Sequence, residues 1–135
     1  MLKRAAGLIL VLLISVFMVG CGEREPKEVV KDFYYSLCEG DVEAVSKDLT
    51  LRAQQILDSS MRLAGSRGGL ADFVKASAEQ CKKMGGIDSI KVETEKVSDS
   101  EMKWTAVVKY KNGRVTTDNG ELVKTDKGWK IDIKK

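Results

Sequence analysis

At 135 residues, 43% of them hydrophobic, the chain has room for one folded domain with a modest core. Lys and Arg outnumber Asp and Glu by only 23 to 20, which leaves no electrostatic footprint for nucleic acid. Histidine is absent, so the usual neutral-pH general base, the commonest metal ligand and the usual triad member are missing together.

The chain opens with a basic patch (Lys3, Arg4), an apolar run from Leu8 to Val19, and then Gly20-Cys21. That is the organisation of a secretory signal peptide. The run is about a dozen residues, short of the roughly 20 that a helix needs to span the hydrocarbon, and Gly20 and Gly22 break it. A cysteine directly after the cut resembles a bacterial lipoprotein signal, with Met18 standing where that family usually has Leu. The resemblance implies a diacylglyceryl group on Cys21 as the mature N-terminus, in place of an ordinary signal that is cleaved or retained. Residues 1–20 are then the signal, 21–25 the lipidated cysteine and a short tether, and 26–135 the domain. Four tether residues at about 3.5 Å each reach only about 14 Å, so the domain sits almost on the bilayer. The expected location is extracytoplasmic and lipid-anchored, on the outer membrane where the cell has two, with which Gly22 is compatible. Losing Lys3 and Arg4 leaves the two signs nearly balanced, without a footprint for an anionic membrane face either.

Pro26 suits the first turn of a helix. Val29, Val30, Phe33, Tyr34, Leu37 and Cys38 follow at three- and four-residue spacing, and Gly40 ends the stripe. Asp41 is placed to cap a short helix with Val42, Val45 and Leu49 inward, and Thr50 to cap a third carrying Leu51, Ile56, Leu57 and Met61. Gly65 to Gly69 is a break. Leu70, Phe73, Val74, Ala78, Cys81 and Met84 form the last helical stripe, closed by Gly85-Gly86. Cys38 and Cys81 both lie on apolar faces, which suits either a disulfide or two buried thiols.

Beyond Gly86 the period becomes two. Ile90, Val92 and Thr94 alternate with charged residues, as do Met102, Trp104, Ala106, Val108 and Tyr110 with theirs. Asn112-Gly113 predicts a hairpin. The next strand runs from Arg114 toward Lys124 with a bulge near Asn119-Gly120, and a turn at Asp126 to Gly128 leads to Trp129, Ile131 and Ile133. Alternation sends Glu93, Glu95 and Asp132 outward. Helices first and an antiparallel meander second predict an α+β fold.

The segment Pro26 to Tyr34 followed by Gly40-Asp41 resembles the opening of small bacterial lipoproteins of unknown function with a nuclear transport factor 2-like (NTF2-like) fold. Val108 to Gly113, and Leu122 to Lys124 through Gly128 to Ile131, are similar to that family's strands. The resemblance implies N-terminal helices packed against a curved antiparallel sheet of about four strands. It does not imply a chemistry, because this superfold hosts enzymes, ligand binders and interaction modules alike.

The residues themselves offer little chemistry. Asp32 falls on a solvated face, and Asp48 and Asp72 read as helix-end charges. The glycine loop lacks the strand before and the Lys-Ser/Thr after that a phosphate loop needs; Arg67 with the amides ahead of Leu70 is a weak anion site, against a flexible loop. Asp118 to Glu121 lacks the spaced ligands of a calcium loop. No catalytic residue, metal or cofactor is therefore expected. The leading function is a non-catalytic binding or interaction module on another envelope protein. The alternative is a carrier of a small apolar ligand in the hollow between helices and sheet. Trp104, Tyr110 and Trp129 are the candidate contacts, although short helices and inward Val, Ile and Trp residues favour a filled hollow. An isomerase or dehydratase would instead need a buried carboxylate beside a tyrosine, lining the largest cavity.

Overall fold

A computed structural model describes residues 24–134. The signal segment, Cys21 and Gly22 lie outside the described residues. Helices α1 (Pro26–Glu39), α2 (Val42–Lys47), α3 (Leu51–Leu63) and α4 (Leu70–Lys83) come first. Strands β1 (Ile87–Ser98), β2 (Glu101–Tyr110), β3 (Val115–Thr125) and β4 (Gly128–Asp132) then form a four-stranded antiparallel meander in sequence order.

Local signals in the sequence set these boundaries. Pro26 occupies the first turn of α1, the Glu28 carboxylate accepts the Glu25 amide at 3.1 Å, and Gly40 ends the helix at φ 74°. The side chains of Asp41 and Thr50 accept the amides of Ala44 and Ala53, capping α2 and α3 at 3.1 and 3.0 Å. In the β2–β3 hairpin the Asn112 side chain accepts the Arg114 amide at 2.9 Å, and Gly113 takes φ 94°.

The core lies between α1 and the inner face of the sheet. Val29, Val30 and Phe33 from α1 meet Val92, Ala106, Val108, Leu122 and Ile131 from the strands. Each large apolar side chain so buried contributes about 1.5–3 kcal/mol. The hollow between α1 and the sheet is thus filled. Helix α3 is different, since Ala53 is its one buried residue.

Four expectations need correction. Asp132 does not point outward; it is buried, 4% exposed. The segment linking α2 to α3 pairs with the outer edge of β4, the Ile131 amide donating to the Asp48 carbonyl and the Thr50 amide to the Ile131 carbonyl, which brings the Thr50 and Arg52 side chains onto the Asp132 carboxylate. Nor is there a bulge at Asn119-Gly120. The β2–β3 ladder is unbroken from Glu101↔Val123 to Lys109↔Val115, and the irregularities lie in β1, near Ile87 and Lys96. Gly120 stands opposite Trp104, where a Cβ would come within 2.8 Å of the indole; the glycine admits the ring rather than bending the strand. Arg24 and Glu25 are not free tether. The Arg24 guanidinium pairs with Asp32 at 2.9 Å and Asp48 at 2.5 Å. Finally, the glycine loop is an occupied structure. Asp58 accepts the Leu70 amide and Asp72 the Gly68 amide, so those amides are not available to an anion.

Asp48 and Asp132 are both buried, with opposite consequences. Burial raises the Asp48 carboxyl, and the Arg24 guanidinium offsets this only in part. Burial also pushes the Asp132 carboxyl up, but hydrogen bonds from Arg52 and Thr50 outweigh it and hold it below the usual range. The ionised Asp132 therefore stabilises the fold at neutral pH, and that contribution is lost as pH falls through its depressed value. Asp132→Asn is expected to lose about 1–2 kcal/mol at neutral pH, the hydrogen bonds being to a charged group but the Arg52 side chain largely solvated. Urea midpoints of the variant and the parent should begin to converge below about pH 4, the ordinary Asp range, and meet only once the pH lies below the depressed folded value.

Candidate functional site

A cleft of about 400 Å³ opens between α1, α3 and α4, with the end of β2 on its sheet side. Leu37, Met61, Phe73 and Met84 supply an apolar lining, the buried Tyr34 and Tyr110 an aromatic wall, and the exposed Gln80 a polar edge. Because α3 buries so little else, its Leu57 and Met61 stay half-buried, and so does Phe73 on α4. Small residues on α4, Ala76 and Ser77, leave the space open. The Ser77 hydroxyl donates to the Phe73 carbonyl at 2.9 Å, back onto its own helix, so it does not make the cleft polar. No charged residue lines this space.

Cys38 and Cys81 also line the cleft, joined as a disulfide with Cα atoms 5.4 Å apart. The bridge ties the end of α1 to the end of α4. Of the three aromatic contacts expected, Tyr110 alone reaches the cleft. Trp104 is a core residue, 6% exposed and edge-on to Tyr34. Trp129 is buried under the Lys124 ammonium, which lies 5.9 Å from the ring centroid. Burial removes both tryptophans as contacts, because β2 and β4 turn these rings into the core.

Tyr34 belongs to the α1 apolar stripe, yet its hydroxyl donates to the Asp118 carboxylate at 2.6 Å. Burial, then the carboxylate beside it, drives the phenol far above its ordinary range, so it stays protonated and acts as a donor. Asp118 itself is exposed on β3 and is not among the cleft residues. The pairing spans 84 residues of sequence, which no local pattern reveals.

Two other hollows are more open to solvent. One of about 500 Å³ lies between α2, the start of α3 and the β3–β4 turn, beside Lys47, Lys127 and Lys130. Its acids, Glu43 and Asp126, are exposed, and neither buried carboxylate, Asp48 nor Asp132, lines it. The other, about 470 Å³, lies on the far side of the disulfide near Lys82 and Gly85. Among the described residues no group of three or more Cys, Asp or Glu side chains is placed to hold a metal.

The sequence profile of a domain of unknown function, DUF4878, matches residues 19–132. The chain belongs to that family. No curated protein matches it. Among solved structures, a Campylobacter jejuni protein provisionally named an NTF2-like transpeptidase superposes with a TM-score of 0.64 at 23% identity, covering 82% of this chain and 100% of that one. An NTF2-like protein of unknown function from Shewanella oneidensis gives 0.47 at 16% identity, covering 77% and 88%. The DUF4878 domain here thus has the NTF2-like α+β fold, with four helices and a curved four-stranded antiparallel sheet.

Proposed function

We propose that this DUF4878 protein is a lipid-anchored, non-catalytic binding module of the cell envelope, and that the α1–α3–α4 cleft takes a small apolar ligand. The cleft carries this reading. At about 400 Å³ it lies within the range of small-molecule sites, mostly apolar, with two aromatic side chains in its wall and no charge to desolvate. A non-catalytic role agrees with a cleft that no carboxylate lines. The same absence of charge argues for an uncharged ring system or a short acyl segment over an ionic metabolite.

Titration with 1-aminoanthracene, an uncharged apolar fluorophore, tests the cleft. Saturable binding with a dissociation constant on the order of micromolar is expected, weakened at least about tenfold by Ala76→Trp, which fills the cleft from its exposed rim. Equal binding by parent and variant would place the probe elsewhere. The anchor has its own test. Cys21→Ser should release the protein from the membrane fraction or leave its signal uncut, because two or three acyl chains hold where one is marginal. An intact mass without acyl groups on the membrane form would remove the anchor from the account.

A further inference from the structure

Tyr110 is the last residue of β2, and the hairpin that follows pins its backbone. Its amide donates to the Arg114 carbonyl at 2.8 Å, and its carbonyl accepts the Gly113 amide at 2.9 Å. Trp104, Ala106 and Val108 precede it on the same face of β2, all buried in the core. Tyr110 completes that face at the strand's end, where it also lines the cleft.

The Tyr110 side chain is 9% exposed, yet among the described residues its hydroxyl has no hydrogen-bond partner. Trp104 Nε1 is the one buried side-chain polar atom there that is both unpartnered and fully enclosed. The Tyr110 hydroxyl is therefore not sealed off. It keeps contact with open space, and the hollow that this residue lines is the cleft. The other polar side chains around that space are engaged or solvated. Tyr34 gives its proton to Asp118 at 2.6 Å, Ser77 gives its own to the Phe73 carbonyl, and Gln80 is exposed. Among the described residues, Tyr110 thus brings the one uncommitted, buried side-chain donor to an apolar wall.

A phenol O–H in such a wall is satisfied by water or by a ligand, and burying it unpaired is costly. A purely apolar ligand would strip the water away and leave the proton without an acceptor. A ligand with an oxygen at that point replaces the lost hydrogen bond. Sites built in this way discriminate strongly against the analogue that lacks the group.

We infer that Tyr110 sets the chemistry of the ligand, its hydroxyl donating to a neutral carbonyl oxygen (ketone, ester or amide) on an otherwise apolar molecule. The inference rests on the cleft reading above. Tyr110 lies close enough to Tyr34 to act on its phenol, and the Asp118 charge stands directly behind that phenol. A carboxylate on the ligand would meet that charge and is disfavoured. A carbonyl also brings no proton of its own that needs an acceptor in the wall.

A matched pair of uncharged probes tests this: 2-acetylnaphthalene, and 2-isopropenylnaphthalene, in which a methylene group replaces the carbonyl oxygen. Each is used to displace 1-aminoanthracene from the mature chain, Cys21 onward, carrying Cys21→Ser so that no acyl group calls for detergent. Tyr110→Phe should weaken 2-acetylnaphthalene at least about fivefold and change 2-isopropenylnaphthalene by less than about twofold. In the parent, the infrared stretch of the bound carbonyl should lie below its frequency in hexane. That second arm needs no variant, so it decides the matter even where Tyr110→Phe does not fold. Equal effects on both probes in a folded Tyr110→Phe, no effect on either, or an unshifted stretch in the parent would overturn the inference and leave the cleft a ligand site. A parent that does not bind 1-aminoanthracene saturably would overturn the cleft reading, and this assignment with it.

Discussion

Replacing Cys38 and Cys81 together by alanine is expected to destabilise the domain by about 3–4 kcal/mol, lowering Tm by on the order of 15 °C. The bridge closes a loop across 43 residues. In the chain-entropy account, that crosslink removes about 4 kcal/mol worth of freedom from the unfolded chain. The loop spans the end of α1, all of α2 and α3, and most of α4. Helix α3 has one buried residue and depends on its neighbours for position, so it should be the first element to loosen. Thermal unfolding followed by circular dichroism measures the loss. Hydrogen exchange should show protection falling first in α3. An unchanged Tm in the double variant would mean that the bridge constrains nothing the fold does not already hold.

Gly120→Ala is the second substitution expected to have a large effect. Its Cβ would lie 2.8–2.9 Å from three atoms of the Trp104 indole, closer than real Cβ contacts come. The ring has little room to retreat, because it is 6% exposed and packs edge-on against Tyr34 with centroids 6.3 Å apart. Overpacking of this kind costs about 2–3 kcal/mol. Trp104→Phe shrinks the ring and also deletes the indole N–H, which is buried without a partner. The Gly120→Ala, Trp104→Phe double variant should therefore lose clearly less stability than the two single variants combined, a coupling that chemical denaturation resolves. Simple additivity would show that the two positions do not press on one another.

The helical half of the fold was largely legible because its signals are local. Pro26, Gly40, Asp41, Thr50 and Gly85-Gly86 each act within a turn of where they stand, and the apolar stripes need only neighbours three and four residues away. Likewise Asn112-Gly113 specifies its hairpin from two residues. Pairings distant in sequence were not legible. Asp132 alternates as a solvent-facing strand residue and becomes buried only because the link from α2 to α3, more than 80 residues earlier, lies along β4. Gly120 looks like a bulge until the ring opposite it is known.

The candidate site divides the same way. Its apolar residues are visible as core stripes, and Tyr110 stands on an alternating strand as a candidate contact. That α3 would stand off far enough to leave a cleft depends on side-chain volumes summed over three helices, which periodicity does not carry. The Tyr34–Asp118 pair joins α1 to β3 and had no sequence signal at all.

Native mass spectrometry of the protein, taken gently from its own membranes, tests the binding account most directly. The account predicts a second species, heavier by one small uncharged molecule, in the parent and greatly reduced in Ala76→Trp, whose side chain occupies the cleft. A parent protein that carries only its N-terminal acyl groups, or an adduct retained equally by Ala76→Trp, would contradict the assignment of the cleft as a ligand site.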